Sequence, residues 1–137
     1  MAIDFFVIKP DGTRDKWEFM SAGSFGSIDY VAEQLELDMD EYKLIMMDRN
    51  KIGDFIIPPE NVKKLLKFYQ NMLMILMDLR AQGIFFLSPD HEIIYQKELH
   101  EGRVFSREKN DITPTLRQLI EICERAVEIN GSILIIH

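Results

Sequence analysis

His91 and His100 lie among Asp90, Glu92, Glu98 and Glu101, and two imidazoles with a carboxylate form a set that a divalent metal accepts. Their spacing matches no known ligand pattern. Both fall in or near turns of a strand meander, at opposite ends of its strands, so they read as exposed turn residues and no metal is expected. His137 stands apart from them. Cys123 is the only cysteine and falls on the apolar stripe of a helical segment. A thiol there behaves as a small, inert hydrophobe. Asp48 and Asp54 flank a turn. Turns carry Asp for backbone reasons, whereas general acid–base work needs a cleft. The chain has no GxGxxG, no GxxxxGK[ST] and no GxSxG. The loop over residues 21–27, before a helix start, contains no Lys or Arg and is followed by Asp29, which makes a poor anion cradle. No catalytic residue and no cofactor is expected, and the chain does not read as an enzyme.

The least ordinary feature is a run of acids. Glu33, Glu36, Asp38, Asp40 and Glu41 occur with no basic residue among them. Most of them crowd the expected C-terminal end of a helix, where negative charge opposes the helix dipole. A costly cluster of one sign can be kept because it steers a basic partner and raises its on-rate. The plainer reading is a solvated polar face. Phe25 and Tyr30, just upstream, are aromatic candidates for anchoring a partner. Lys63, Lys64 and Lys67 form a small basic counter-patch that reads as the wet face of a helix. The polar loop over residues 106–111 is a second candidate contact surface.

Composition narrows the partner. The 137 residues carry a formal net charge of −7, and the isoelectric point is near 4.9. Phosphate binding rests on clustered Lys and Arg, so neither nucleic acid nor an anionic membrane is expected as partner. A basic protein partner is. With 47% hydrophobic and 28% charged residues the composition is that of a globular chain. A single cysteine needs no oxidising compartment. The first residues lack the basic and apolar regions of a signal peptide, and the longest apolar run, residues 72–77, is too short for a membrane span. A cytoplasmic location is the expectation.

The elements that must position these residues follow from periodicity and punctuation. Residues 3–8 and 16–19 read as a hairpin around Pro10-Asp11-Gly12-Thr13, with Trp17 and Phe19 facing inward. Ser27 is the expected cap of a helix bearing Ile28, Val31, Ala32 and Leu35 and ending near Leu37. Residues 42–48 and 54–57 read as strands joined by a turn over 49–53. Pro58-Pro59-Glu60 opens the longest helix and Gly83 closes it. Residues 84–87, 93–95 and 103–105 read as a three-strand meander. Thr113 and Pro114 start the last helix, Asn130-Gly131 ends it, and residues 133–136 form an apolar strand expected to be interior and covered on both faces. The order ββαββαβββαβ predicts one α+β domain over residues 1–137. Its sheet is antiparallel or mixed, with about three helices packed on it.

Residues 83–95, read as strand–turn–strand, are similar to part of PAS-type sensor domains, from which residues 96–137 depart by ending in a long helix and a buried strand. In size, acidity and lack of catalytic motifs the chain resembles bacterial immunity proteins, which neutralise toxins by binding them. That resemblance is one of general character. Its implication is a small acidic inhibitor that masks a basic partner such as a toxin or nuclease. The alternative is a small-molecule site, sensory or enzymatic, beside the Met-rich central helix, lined by Met72, Met74 and Met77. Homo-oligomerisation through a strand edge or an exposed apolar patch is a third reading.

Overall fold

Alternation sets the first strand. In β1 (Ala2–Ile8) Phe5 and Val7 are buried while Phe6 and Ile8 are half-covered, the two-residue period of a sheet with one packed face. The chain then turns as expected. Gly12 takes a φ of 89°, which an L side chain rarely adopts. Asp11 accepts hydrogen bonds from the Thr13 amide (2.9 Å) and hydroxyl (2.6 Å). The return strand β2 (Arg14–Ala22) pairs antiparallel with β1, Phe5 opposite Phe19. The computed structural model describes residues 2–22, 24–46, 54–87, 89–105, 107 and 112–136, the side chains of 2–3, 16–22, 24–27 and 89 apart. The expected inward facing of Trp17 and Phe19, and the turn over 49–53, lie outside the described residues.

β3 (Asp54–Ile57) and β4 (Ser132–Ile136) complete a four-stranded antiparallel sheet in the order β2-β1-β4-β3. β4 is interior, as its unbroken apolar run requires. Ile133 and Ile135 are buried, but Leu134 and Ile136 are only half-buried, so β4 is fully covered on one face and not on both. On the open face the Arg14 guanidinium lies 4.2 Å from the centre of the Phe6 ring.

Among the described residues, five helices lie in the connections. α1 (Ser24–Gln34) and α2 (Asp40–Ile45) lie between β2 and β3, and α3 (Pro59–Ala81), α4 (Pro89–His100) and α5 (Thr113–Glu128) between β3 and β4. The protein is α+β, with the order ββααβαααβ in place of ββαββαβββαβ. Four expected strands are not strands. Over 42–46 the buried residues are Tyr42 and Met46, which with Met39 fall at i, i+3 and i+7. That is a helical stripe, and the Asp40 amide donates to the Asp38 carboxylate (3.1 Å) at its start. Residues 47 and 48 of that expected strand are not described. The meander is replaced by a stretch without regular structure bearing one bridge at Leu87, then α4, then an irregular segment. Pro89 opens α4, Asp90 and Glu92 stand in its first turn and Lys97 and His100 in its last, all favourable to the helix dipole. The likeness to a PAS-type strand–turn–strand goes with the meander. Helix starts also shift. α1 begins at Ser24, so Ser27 sits inside the helix, and α5 is preceded by Ile112 with Thr113 as its first residue.

α3 and α5 pack together against the inner face of the sheet. Val62, Leu65, Tyr69, Met72 and Leu76 of α3 meet Leu116, Leu119, Ile120, Cys123 and Ala126 of α5 in one buried cluster with Phe5, Val7, Ile133 and Ile135. A second tie is ionic. Asp15 of β2 is buried and accepts two hydrogen bonds from the Arg125 guanidinium of α5, at 2.8 and 3.3 Å. Asp15 thus holds the Arg125 charge firmly protonated.

The passage from α5 into β4 is tight. Asn130 adopts a φ of 53°, and the Gly131 amide donates to the Ala126 carbonyl (2.7 Å), closing α5 with a left-handed cap. Gly131 is buried, and a Cβ there would run into the Ile8 carbonyl oxygen of β1. Gly131→Ala is expected to lower stability by roughly 1–3 kcal/mol, because backbone must move to admit the methyl. Urea unfolding checks this as a lower midpoint at unchanged slope.

Candidate functional site

The acidic run occupies the outer edge formed by the end of α1, the connection and the start of α2. Glu33, Glu36, Asp38, Asp40 and Glu41 are all exposed there. Their local energetics differ from the expectation of a costly cluster at a helix C-terminus. α1 ends at Gln34, and Asp40 and Glu41 stand in the first turn of α2, where negative charge is favourable. Asp38 accepts the Asp40 amide. Glu33, in the last turn of α1, still opposes that helix's dipole, and Glu36 is placed at a backbone cost. It has a φ of 57°, and the Leu37 amide donates to the Ala32 carbonyl (3.1 Å), so Glu36 fills the left-handed capping position that glycine prefers. The run is also partly answered by the chain's own lysines. Lys43 lies 4.0 Å from Glu33 and Lys64 lies 3.7 Å from Glu41, with all four side chains more than half exposed.

Beside this edge lies a cleft of about 450 Å³ lined by Asp38, Glu41, Tyr42, Ile45, Lys64, Leu65, Lys67 and Phe68. Its aromatic wall is ordered by stacking. The Tyr42 and Phe68 rings lie parallel with centroids 4.4 Å apart, and Tyr69 meets both edge-on. The Tyr42 and Tyr69 hydroxyls share a buried hydrogen bond of 3.3 Å. Burial, with Tyr42 beside it, pushes the Tyr69 phenol well above its ordinary range, so that hydroxyl stays neutral. The cleft thus combines apolar and aromatic side chains with two acids, Asp38 and Glu41, and two lysines, Lys64 and Lys67, of which Lys64 lies against Glu41. Tyr42, Ile45 and Phe68 escaped the reading of the sequence. The signal was the 39/42/46 spacing, which turns Tyr42 towards Phe68 once residues 40–45 are helical.

Of the aromatic anchors, Tyr30 is half-buried and lines a separate small cleft of about 220 Å³ with Gln34, Phe85, Phe86, Leu87, Glu92 and Arg107. Arg107 donates to the Phe85 carbonyl (3.3 Å), lies 3.8 Å from Glu92 and stacks 4.5 Å from the Tyr95 ring centre. Phe25 is in α1, and its side chain is outside the described set. Apart from Arg107, the loop over 106–111 is also outside it. The structure therefore brings together the five acids and leaves Tyr30 elsewhere.

The other chemistry-bearing residues are dispersed. His91 and His100 are not in turns but on α4, where about 100° per residue sets them on opposite sides of the helix. No group of three His, Cys, Asp or Glu among the described residues is arranged to hold a metal ion. Of the anion-cradle candidate, residues 21–22 belong to β2 and 24–27 to α1, with residue 23 outside the described set, and Asp54 is exposed on β3 while Asp48 is not described. The Met residues diverge. Met72 is fully buried in the core, Met74 is 70% exposed, and Met77 accepts a long contact from Arg117 (3.7 Å). None of the three lines either cleft. No described helix is long and apolar enough to cross a membrane. No protein-family model, curated protein or solved structure matches the chain.

Two predictions follow from this placement. Burial pushes the Cys123 thiol from its ordinary 9.0 up to about 12, helped by the nearby Glu124 charge. A neutral thiol is thus favoured in the fold, and ionisation of the unfolded chain withdraws that stability as pH rises from about 9 towards 12. The native thiol is expected to resist a disulfide reagent at pH 8 and to react fully in urea. Stability measured by denaturant should fall from pH 9 to 11 less steeply in Cys123→Ala than in the native chain. Glu36→Gly is expected to raise stability by about 1 kcal/mol, by relieving the left-handed backbone at an exposed site. A higher urea midpoint would be its sign.

Proposed function

We propose that this chain is a non-enzymatic protein-binding module that takes a basic segment of a partner across the α1–α2 edge. The observation that carries the reading is the continuity of the exposed acids with the partly apolar cleft. An apolar side chain of the partner lies over Tyr42, Ile45, Leu65 and Phe68, and its basic neighbours meet Glu36, Asp38, Asp40 and Glu41. The acids favour approach and register, and the apolar side chains slow departure. The internal lysines are no obstacle. An exposed ion pair such as Lys64–Glu41 is worth about 0–1 kcal/mol, so a partner's Arg or Lys displaces it readily. Glu36 supports the same reading, since an exposed acid held in a strained backbone is retained against stability. An inhibitor that masks a basic protein, such as a toxin or nuclease, is the form this function takes. Such binding fits the net charge of −7.

The test compares capture by the tagged native chain and by Asp38→Asn/Asp40→Asn/Glu41→Gln from cells that make the protein. The expected result is one basic partner recovered by the native chain, released as salt rises through a few tenths molar, and weakened at least about tenfold in the variant. Equal recovery by both would remove the acidic edge from the function. Phe68→Ala separates the apolar contact from the acids, and is expected to speed dissociation with little change in salt dependence.

A further inference from the structure

α4 is turned inside out. Its half-buried residues are His91, Glu92, Tyr95 and Glu98, three of them polar. Phe105 meets Tyr95 edge-on at 5.7 Å, Arg107 reaches Glu92 and lies over the Tyr95 ring, and Arg103 reaches Glu98. Its isoleucines point the other way. Ile93 is 69% and Ile94 44% exposed, and Asp90 and Lys97 are exposed beside them. At about 100° per residue, Asp90, Ile93, Ile94 and Lys97 occupy one outward stripe at i, i+3, i+4 and i+7. A lone exposed apolar residue is ordinary, but a helix that seats its polar side inward and two isoleucines outward marks a contact surface. The 84–105 segment also exposes Ile84, Leu99 and Val104.

The charges on the stripe name the occupant. Asp90 and Lys97 stand at equal distances on either side of the Ile93–Ile94 midpoint, about 10 Å apart along the axis. Neither belongs to an ion pair among the described residues, whereas Glu92 and Glu98 are engaged by Arg107 and Arg103. A two-fold axis through that midpoint sets 93 against 94 and 90 against 97. Two antiparallel copies of α4 then enclose four isoleucines and close both ends with reciprocal Asp90–Lys97 pairs. A parallel pairing sets Asp on Asp and Lys on Lys. We infer that α4 pairs with α4 of a second copy of this chain, antiparallel and two-fold symmetric, with Ile93 and Ile94 at its centre and Asp90–Lys97 pairs at its ends. One short helix from each copy buries less than the roughly 1,200 Å² of a stable complex, so the dimer is a weak one, with a dissociation constant of order micromolar. The surface is separate from the acidic edge and does not depend on the function proposed for it.

Sedimentation of the full chain from about 5 to 500 µM tests the pairing, the range being that of a weak dimer. The native chain is expected to pass from monomer to dimer, and Ile93→Glu/Ile94→Glu to stay monomeric with an unchanged circular-dichroism spectrum. Asp90→Lys and Lys97→Asp should each weaken the dimer about tenfold or more, as two attractive pairs become repulsive. Mixing the two should restore it, because the doubly basic stripe meets the doubly acidic one. That rescue is one a folding defect cannot produce. A monomer at all concentrations overturns the inference, as does a dimer indifferent to Ile93→Glu/Ile94→Glu or a mixture that fails to pair. A native monomer that binds a different protein through Ile93 and Ile94 would assign the stripe to that protein and likewise overturn self-pairing.

Discussion

β4 is hydrogen-bonded along both edges, to β1 on one side and to β3 on the other. That double ladder makes it the strand the sheet cannot lose, since without it β3 has no neighbour. Its inner side chains, Ile133 and Ile135, are also where the two layers meet. For β4 to enter between its neighbours, α5 must end close against β1. The left-handed Asn130 and the bare Cα of Gly131 under the Ile8 carbonyl satisfy that demand. The Arg125–Asp15 pair fixes the same helix end to the hairpin. Packing of α3 on α5, and through α3 the placement of the Tyr42–Phe68 cleft, follows from this closure.

The helices themselves are cut to length by their caps. α3 and α4 stop at Gly83 and Gly102, with φ of 81° and 75°, and the Ile84 and Arg103 amides reach back to the Leu79 and Glu98 carbonyls. α1 and α5 use Glu36 and Asn130 in the same role. Glycine and asparagine fill such positions at little cost, and glutamate does not. Local chemistry thus accounts for three of these four endings. The fourth coincides with the acidic edge, which links a backbone peculiarity to a surface with charge to offer.

Two surfaces of opposite character result. The α1–α2 edge is acidic, exposed and partly balanced by Lys43 and Lys64, so its field is softer than the run of acids implies. The α4 stripe is apolar at its centre and charged at its ends. The first is the surface we propose for a basic partner, and the second the one we propose for a second copy of the chain. Cys123 and Tyr69, the groups burial perturbs most, lie in the core between α3 and α5 and hold their protons there.

The residues by themselves determined the hairpin, the interior position of β4, the long helix closed by Gly83, the last helix ended at Asn130-Gly131, and the class α+β. Each rests on a signal that acts within one element: a turn dipeptide, a period, a proline or a cap. The burial of Cys123 was legible for the same reason, and so was the exposure of the five acids. Tertiary structure decided the rest. Residues 40–45 and 89–100 carry short apolar stretches that suit strand or helix equally. The choice fell to what they pack against: Met39, Tyr42 and Met46 into the core, Tyr95 beside Phe105 and Arg107. Sequence periodicity assumes that apolar side chains face inward, and α4 breaks that assumption. Which lysine answers which acid was likewise beyond the sequence. Those contacts join α1 to α2 and α2 to α3, and only the folded chain brings them within reach.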